Sequence, residues 1–118
     1  MSDSYGPRER IRKKSDFTAL YQKGRSFRSR YFTIVYLANV LGYPRMSAVS
    51  SRKVGNAVKR NRARRRAREL FRRNKSLLKT PLDMLFITRA EFADAPWPLL
   101  REQYAAFLSS LPREKTAR

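Results

Sequence analysis

One long basic segment constrains this chain more than any other feature. From Ser50 to Asn74 it reads SSRKVGNAVKRNRARRRARELFRRN, and between Arg52 and Arg73 it holds eleven Lys or Arg and a single acid, Glu69. Its alanine, leucine and arginine residues are good helix formers, so the charge lies on an ordered element. Like charges four residues apart repel each other along a helix. The segment therefore predicts a helix whose charged face binds a polyanion.

The overall charge points to the same kind of partner. At 118 residues the chain has the size of one domain, and 42% hydrophobic content with 12% aromatic residues is enough for a compact core. The formal net charge of +19 would destabilise a compact chain by self-repulsion, and a bound polyanion would relieve that repulsion. We expect nucleic acid as the leading partner, with an anionic membrane surface as the second candidate.

The residue types that carry most enzyme chemistry are absent or scattered. The chain has no Cys and no His, which excludes disulfides, zinc fingers and thiol or imidazole catalysis. Its nine acids form no metal-binding or phosphate-binding motif, so hydrolysis by this chain alone would need carboxylates and a metal ion. The first ten residues lack the apolar core of a signal peptide, and residues 34–41 are too few to span a bilayer. We expect a cytoplasmic protein with no catalytic residue and no metal ligand of its own.

The basic segment has the periodicity of a helix that lies on a core. Residues 56–74 would make about five turns, roughly 28 Å of helix. On a helical wheel Ala63, Ala67, Leu70 and Phe71 fall within one narrow arc, which predicts the face that contacts the core. Two of these residues are alanines, so the helix is expected to lie close to the sheet.

The cations of this helix divide into two groups. Arg60 and Arg64 fall at or beside the apolar arc, and we expect the sheet not to reach that part of the helix. The others lie on the opposite half with Asn61, where almost no acid can pair with them, and are expected to bind a polyanion: Lys59, Arg62, Arg65, Arg66, Arg68, Arg72 and Arg73.

Three strands are predicted from runs of β-branched, aromatic or small residues. Residues Tyr31–Ala38 form the first, and the face that starts with Tyr31 and includes Thr33 and Val35 is expected to be partly open. Arg45–Ser51 forms the second. Leu82–Thr88 reads LDMLFIT, the continuous apolar run of a strand buried on both faces. Because the long helix separates the last two strands, they are predicted to be parallel.

A short helix is predicted before the strands. Ser15 is its expected N-cap and Gly24 its expected stop, with Phe17, Leu20 and Tyr21 on one face. Leu20 is expected in the core. Phe17 and Tyr21 are either further core residues or a ledge on which nucleic-acid bases stack.

The chain divides into three parts on composition. Residues 1–14 are predicted to be a flexible basic arm, either solvated or ordered on nucleic acid. Residues 15–111 are predicted to be a single RNA-binding domain that ends with a helix at 99–111. Residues 112–118 are predicted to be a frayed tail.

The basic segment also resembles a known protein signature. The run RKVGNAVKRNR at 52–62, followed by Arg64-Arg65, Arg68-Glu69 and Phe71-Arg72, resembles the RNR signature of the bacterial ribonuclease P protein subunit. The resemblance extends in register over residues 10–111. Further matches are Asp16-Phe17, Tyr21, Gly24-Arg25-Ser26, Arg30, Phe32 and Asp83 through Arg89.

The resemblance implies a fold. Members of this family are α+β proteins, described as an α/β sandwich with a four-stranded sheet and three helices in the order α-β-β-β-α-β-α. This adds a short strand near Phe27. It also implies a left-handed βαβ crossover, whereas such connections are right-handed in most proteins.

The resemblance also implies a function. The family protein is a non-catalytic subunit, monomeric within its holoenzyme, and its partners are a large catalytic RNA and precursor tRNA. The RNA, with Mg²⁺, cleaves the 5′ leader from precursor tRNA. The basic helix contacts that RNA, and a cleft between the first helix and the sheet binds the leader.

Site residues follow by position in the family signature. The residues expected to contact the catalytic RNA are Arg52, Lys53, Asn56, Lys59, Arg60, Asn61, Arg62, Arg64, Arg65 and Arg68. The residues expected to line the leader cleft are Phe17, Tyr21, Tyr31, Val35 and Arg89. Tyr21 stands where many members have Phe, and Val35 stands where some have an aromatic residue.

Three other functions remain as alternatives at this point. A general RNA- or DNA-binding protein would share the charge but not the aromatic cleft. A metal-dependent nuclease would cleave RNA without an RNA subunit. A membrane-surface helix would need a wider apolar face than the alanine-rich one predicted here.

Overall fold

The computed structural model describes residues 5–78 and 80–111, so the predicted tail at 112–118 lies outside the described residues. The helices and strands follow the order that the sequence predicts, and an α+β fold is confirmed. The elements are α1 (Lys14–Lys23), β1 (Arg25–Arg28), β2 (Phe32–Ala38), β3 (Arg45–Ser50), α2 (Ala57–Asn74), β4 (Leu82–Thr88) and α3 (Trp97–Ser110). Short 3₁₀ turns lie at Pro7–Glu9, Arg52–Val54, Lys75–Leu77 and Ala90–Asp94.

The four strands form one mixed sheet in the order β1-β2-β4-β3. β1 pairs with β2 and β2 with β4 in antiparallel fashion. β3 and β4 are parallel, with Met46 opposite Met84, and α2 connects them. The sequence predictions of the short β1 and of the parallel pair are therefore confirmed. The left-handed sense of the crossover stays a prediction.

The sheet separates two hydrophobic clusters. The larger one packs α2 and α3 against one face, and the stripe of α2 predicted from periodicity, Ala63, Ala67, Leu70 and Phe71, is fully buried in it. The smaller one lies on the other face, where Leu20 of α1 packs with Ile11, Val35 and Leu85. β4 contributes to both clusters, which explains its continuous apolar sequence.

The start of α1 differs from the prediction. Helix α1 begins at Lys14 with Lys13 as its N-cap residue, and no side chain caps it. Ser15 lies inside the helix rather than at its cap. The side chain of Asp16, in the first turn, bonds instead to Arg45 of β3 at 3.3 Å.

The described part of the predicted N-terminal arm packs against the β3 edge. The Tyr5 hydroxyl donates to the Met46 carbonyl at 2.8 Å, and Ile11 is 4% exposed. Glu9 pairs with Lys75 at 2.5 Å, and both side chains are about nine-tenths buried. Residues 5–13 therefore differ from a solvated arm, since they connect the sheet edge to the end of α2.

A buried tyrosine hydroxyl gives a first prediction. Tyr104 stacks on Phe86 and is 1% exposed, and its hydroxyl has no hydrogen-bond partner among the described residues. A buried unpaired hydroxyl is costly, so Tyr104→Phe should raise the free energy of unfolding by about 1 kcal/mol in urea titrations. Tyr5→Phe is the matched control, since it removes a hydroxyl that is bonded to Met46 and should lower stability by about 1 kcal/mol. A loss of stability in both variants would contradict the prediction.

The Glu9–Lys75 pair gives a pH-dependent prediction. Burial raises the pKa of Glu9, but the hydrogen bonds from Lys75 and the Gly6 amide outweigh it, so the pKa lies below its ordinary value of 4.5. The carboxylate therefore stabilises the fold above pH 4.5, and this stability is lost as the pH falls through the lowered pKa. Glu9→Gln should cost about 2 kcal/mol at pH 7, measured by urea unfolding.

The same variant tested in acid provides the check. The stability difference between Glu9→Gln and the unaltered chain should shrink as the pH falls below 4.5. Glu102→Gln, at an exposed position on α3, should change stability by less than about 0.5 kcal/mol throughout. A Glu9→Gln difference that stays constant down to pH 3 would contradict the assignment.

Candidate nucleic-acid interface

The turn before α2 is held by its own polar residues. The Ser51 hydroxyl accepts a hydrogen bond from the Lys53 amide at 3.2 Å, and Val54 is 3% exposed. Gly55 has a φ of +144°, and a Cβ there would lie 2.9 Å from Lys59 Cδ, so glycine is needed. Asn56 caps α2 by accepting from the Lys59 amide at 2.9 Å.

Arg60 closes this turn. Its Nη1 donates to the Gly55 carbonyl at 2.9 Å. This contact explains why Arg60 falls beside the apolar arc of the helical wheel: its side chain folds back over the turn instead of entering the core. Arg64, the other exception, donates to Asn61 at the surface of the helix. Two residues predicted to contact RNA thus also organise the turn and the first helical turns.

Several cations of α2 are engaged within the protein. Arg66 donates to the carbonyls of Phe92, Ala93 and Ala95 at 3.0, 2.7 and 2.6 Å, and burial lowers its pKa. Its guanidinium also lies 4.8 Å from the ring centre of Trp97. Arg66 therefore secures α2 to the segment before α3, whereas the sequence placed it on the polyanion-binding half of the helix.

Other α2 cations form ion pairs at the surface. Lys59 and Arg62 bind Asp94 at 3.1 and 2.6 Å, and the hydrogen bond from Lys59 is the main cause that lowers the Asp94 pKa. Further along the helix, Arg72 and Arg73 both bind Glu69, whose pKa is lowered chiefly by the bond from Arg72. These pairs leave the cations exposed to solvent to differing degrees.

Three arginines among the predicted RNA contacts are exposed and make no polar contact within the described part of the chain. Arg52, Arg65 and Arg68 make no side-chain hydrogen bond or ion pair with any other residue in 5–78 and 80–111. Arg65 and Arg68 lie one turn apart on α2, and Arg52 lies in the turn before it. Since no internal partner has to be displaced, these guanidinium groups are the readiest on this face to bind phosphate.

A second basic surface lies on the α1 side of the sheet. A cavity of about 710 Å³ has Val35 and Ile87 in its lining, and both residues pack in the smaller hydrophobic cluster, which includes Leu20 of α1. Among the described residues, Glu91 is the one acid in the lining. Four cations from different segments converge on it, namely Arg28, Arg30, Lys53 and Arg89, and four hydroxyls join them, namely Ser26, Thr33, Ser51 and Thr88.

The cavity joins residues that the sequence assigned to different partners. Val35 and Arg89 were predicted to bind the leader, and Arg89 Nη2 donates to the Thr33 hydroxyl at 3.2 Å across the cavity wall. Lys53 was predicted to bind the catalytic RNA. Sequence reasoning missed Arg28 and Arg30, whose signal is the repeated arginines of RSFRSR around the short β1.

The predicted aromatic residues of the cleft lie outside this cavity. Phe17 is half-buried and packs against the smaller hydrophobic cluster, while Tyr21, one turn later, is 63% exposed. Tyr31 is 7% exposed and packs with the larger cluster, on the opposite face of the sheet. The expected strand alternation does not extend to Tyr31, which lies in the bend before β2, where the Ser29 hydroxyl accepts from the Tyr31 and Phe32 amides.

Two other kinds of feature were not found among the described residues. In 5–78 and 80–111, no group of three or more acids could hold a metal ion. Within the same ranges, no helix combines the length and apolar character that a membrane span requires. The arrangement is suited to binding anions and bases.

Comparison with known proteins identifies the family. A family model described as Ribonuclease P matches residues 6–112. The ribonuclease P protein component of Thermotoga maritima is 36% identical over 94 residues, which cover 80% of both chains, and that of Syntrophus aciditrophicus is 35% identical over 108 residues, covering 92% of this chain and 91% of the other. The solved RNase P protein from Thermotoga maritima matches with a TM-score of 0.78 and 32% identity, covering 88% of this chain and 98% of that chain. The chain therefore belongs to the ribonuclease P protein family.

Proposed function

We propose that this chain is the protein subunit of a ribonuclease P ribonucleoprotein that binds a catalytic RNA and the 5′ leader of precursor tRNA. The observation that carries the proposal is the presence of two basic surfaces. α2 presents exposed arginines over one face of the sheet, the cationic cavity lies beside α1 on the other face, and the turn before α2 joins them through Lys53. Two surfaces of this kind suit two different RNA partners.

The α2 surface is proposed to bind the catalytic RNA. Arg52, Arg65 and Arg68 would contact phosphates directly. Lys59 and Arg62 would join them by exchanging Asp94 for phosphate, which costs little because exposed ion pairs are weak. Arg60 and Asn56 hold the turn in shape, so they would position the others as well as approach the RNA. Asn61 and Arg64 complete the proposed surface, together with Lys53, which also lines the cavity.

The α1 side is proposed to bind the leader. A single strand needs cations along its backbone and flat side chains for its bases. The cavity offers Arg28, Arg30, Lys53 and Arg89 for the phosphates, and exposed Tyr21 offers a ring for a base. Val35 and Ile87 add apolar surface to the cavity.

The chemistry is proposed to reside in the RNA. In the described ranges no acid cluster could bind Mg²⁺, whereas the RNA phosphates supply oxygen ligands of the kind Mg²⁺ prefers. The chain would act in the cytoplasm as a monomer within the holoenzyme. Its role would be to raise the affinity for precursor tRNA and to lower the Mg²⁺ concentration that cleavage requires.

Reconstitution tests the proposal. The chain, mixed with a bacterial ribonuclease P RNA at low Mg²⁺, should accelerate removal of the leader from precursor tRNA, and the chain with Mg²⁺ alone should cleave nothing. Tyr21→Ala should raise KM for precursor tRNA and leave the affinity for mature tRNA unchanged. RNA binding without any stimulation of cleavage would favour a general RNA-binding protein, and cleavage by the chain alone would favour a metal-dependent nuclease.

The paired and unpaired arginines of α2 give a sharper prediction. Arg65→Gln and Arg68→Gln should each weaken binding to the catalytic RNA and lower the slope of log K against log [salt] by about 1, because each removes one phosphate contact. Neither should change the melting temperature. Arg66→Gln should instead leave the salt slope unchanged and lower the melting temperature, because it leaves three carbonyls without their hydrogen-bond donor. The expected loss of stability is about 2 kcal/mol.

Salt titrations and thermal melts on the three variants check this division. An unchanged salt slope in Arg65→Gln and Arg68→Gln would contradict the proposed surface. An unchanged melting temperature in Arg66→Gln would contradict its structural assignment.

A further inference from the structure

A polar network at one end of the sheet ties α1 to β3. Arg45, the first residue of β3, binds Asp83 of β4 through two bonds, Nε at 2.9 Å and Nη2 at 2.6 Å. Its remaining Nη1 donates to Asp16 of α1 at 3.3 Å. Asn39, just after β2, donates to the same Asp83 at 2.9 Å. Four segments of the chain thus meet at one guanidinium group and one carboxylate.

The hydrogen bond between Arg45 and Asp16 differs from the other contacts that hold α1 on the sheet. Across the described ranges, it is the one hydrogen bond or ion pair that a side chain of α1 makes with the sheet. The rest of the attachment is apolar, through fully buried Leu20 and half-buried Phe17. Apolar contacts hold a helix against a sheet but fix its direction poorly, whereas a hydrogen bond specifies both distance and angle.

The other end of α1 is fixed by close approach. A Cβ on Gly24 would lie 2.9 Å from Val35 Cγ1 and 3.1 Å from the Tyr36 carbonyl, so the helix end lies directly on β2. With that end fixed, the Arg45–Asp16 bond sets the direction in which the helix leaves the sheet. Phe17 follows Asp16 directly, and Tyr21 lies one turn further on the same side of the helix.

We propose that Arg45 is a positioning residue that acts through Asp16 to set the direction of α1, and so the location of Phe17 and Tyr21 for the leader. The inference rests on the proposed leader site. Arg45 touches no substrate in this scheme. Arg45 and Asp83 are bonded to each other at the end of the sheet. Asp16 anchors α1, the helix that presents the aromatic rings, to this pair.

The direction of the expected effect separates positioning from charge. Removing an acid makes the protein more positive, so by charge alone Asp16→Ala would strengthen binding of an anionic leader. Positioning predicts the opposite. Asp16→Ala should weaken the affinity for precursor tRNA by about three- to tenfold within the holoenzyme, and leave the affinity for mature tRNA and for the catalytic RNA within twofold.

Asp16→Ala is a mild change to the fold. The bonds between Arg45 and Asp83 remain, and alanine is a good helix former. Glu102→Ala on α3 is the charge-matched control and gives the effect of charge alone. Leu108→Ala, also on α3 and packed against the larger cluster, is the stability control. It should lower the melting temperature without changing the ratio of affinities for precursor and mature tRNA.

Arg45→Lys provides an independent check, because it keeps the charge but cannot bridge Asp83 and Asp16 in the same way. If Arg45 acts through Asp16, the effects of Arg45→Lys and Asp16→Ala on leader affinity should be non-additive in a double-mutant cycle. The salt slope of precursor binding should be unchanged in Asp16→Ala, since no cation is lost.

Tyr21→Ala makes the outcomes distinguishable. Loss of leader-dependent affinity in both Tyr21→Ala and Asp16→Ala supports the inference. Loss in Tyr21→Ala alone, or an Asp16→Ala effect no different from Glu102→Ala, overturns the positioning role and leaves the proposed function intact. No loss in either variant overturns the proposed leader site and the inference together.

Discussion

The packing of α2 on the sheet through a stripe of small residues is the constraint on which the rest of the structure depends. Ala63 and Ala67 have no exposed surface, so the helix backbone lies close to β3 and β4. A helix with so many arginines gains little from its own charges, which repel. Its place is fixed by this narrow apolar stripe together with Leu70 and Phe71. Each fully buried apolar side chain of that size contributes about 1.5–3 kcal/mol.

Close packing of α2 also decides what its arginines can reach. Arg66 emerges at the edge of the buried stripe and extends to the carbonyls of residues 92–95, which lie just before α3. Arg65 and Arg68 emerge on the far side and meet no partner among the described residues. The same residue type thus contributes to folding on one flank of the helix and stays exposed without an internal partner on the other.

Local patterns were enough to predict most of the fold. The periodicity of α2 and the apolar run of β4 each depend on contacts that recur with the element's own repeat, so both were readable from the sequence. The role of Arg66 was not, because its partners lie 26 to 29 residues away and are backbone carbonyls, which leave no side-chain signature. The position of Tyr31 was not readable either, because this residue lies in the bend before β2 and outside the alternation of the strand.

The candidate site likewise has features that the sequence predicts and features that it does not. Arg65 and Arg68 could be predicted as exposed because their positions on α2 follow from helix geometry alone. The grouping of Lys53 with Val35 and Arg89 in one cavity could not, because it depends on how the turn before α2 lies relative to β2 and β4. Arg28 and Arg30 were overlooked for a similar reason. A four-residue strand carries too short a pattern to show which side of the sheet Arg28 approaches, and Arg30 lies in the bend that follows the strand.

Most of the described acids have an identifiable structural use. In the described ranges, Glu9, Asp16, Asp83, Glu69 and Asp94 all pair with cations. Glu9 and Asp83 are buried and fasten the N-terminal segment and the sheet end, where breaking an ion pair is costly. Asp94 is exposed, so its pairs with Lys59 and Arg62 are screened by solvent and can be exchanged for phosphate at little cost. Binding an RNA therefore need not disturb the buried pairs that hold the fold, and the surface that remains is almost entirely positive.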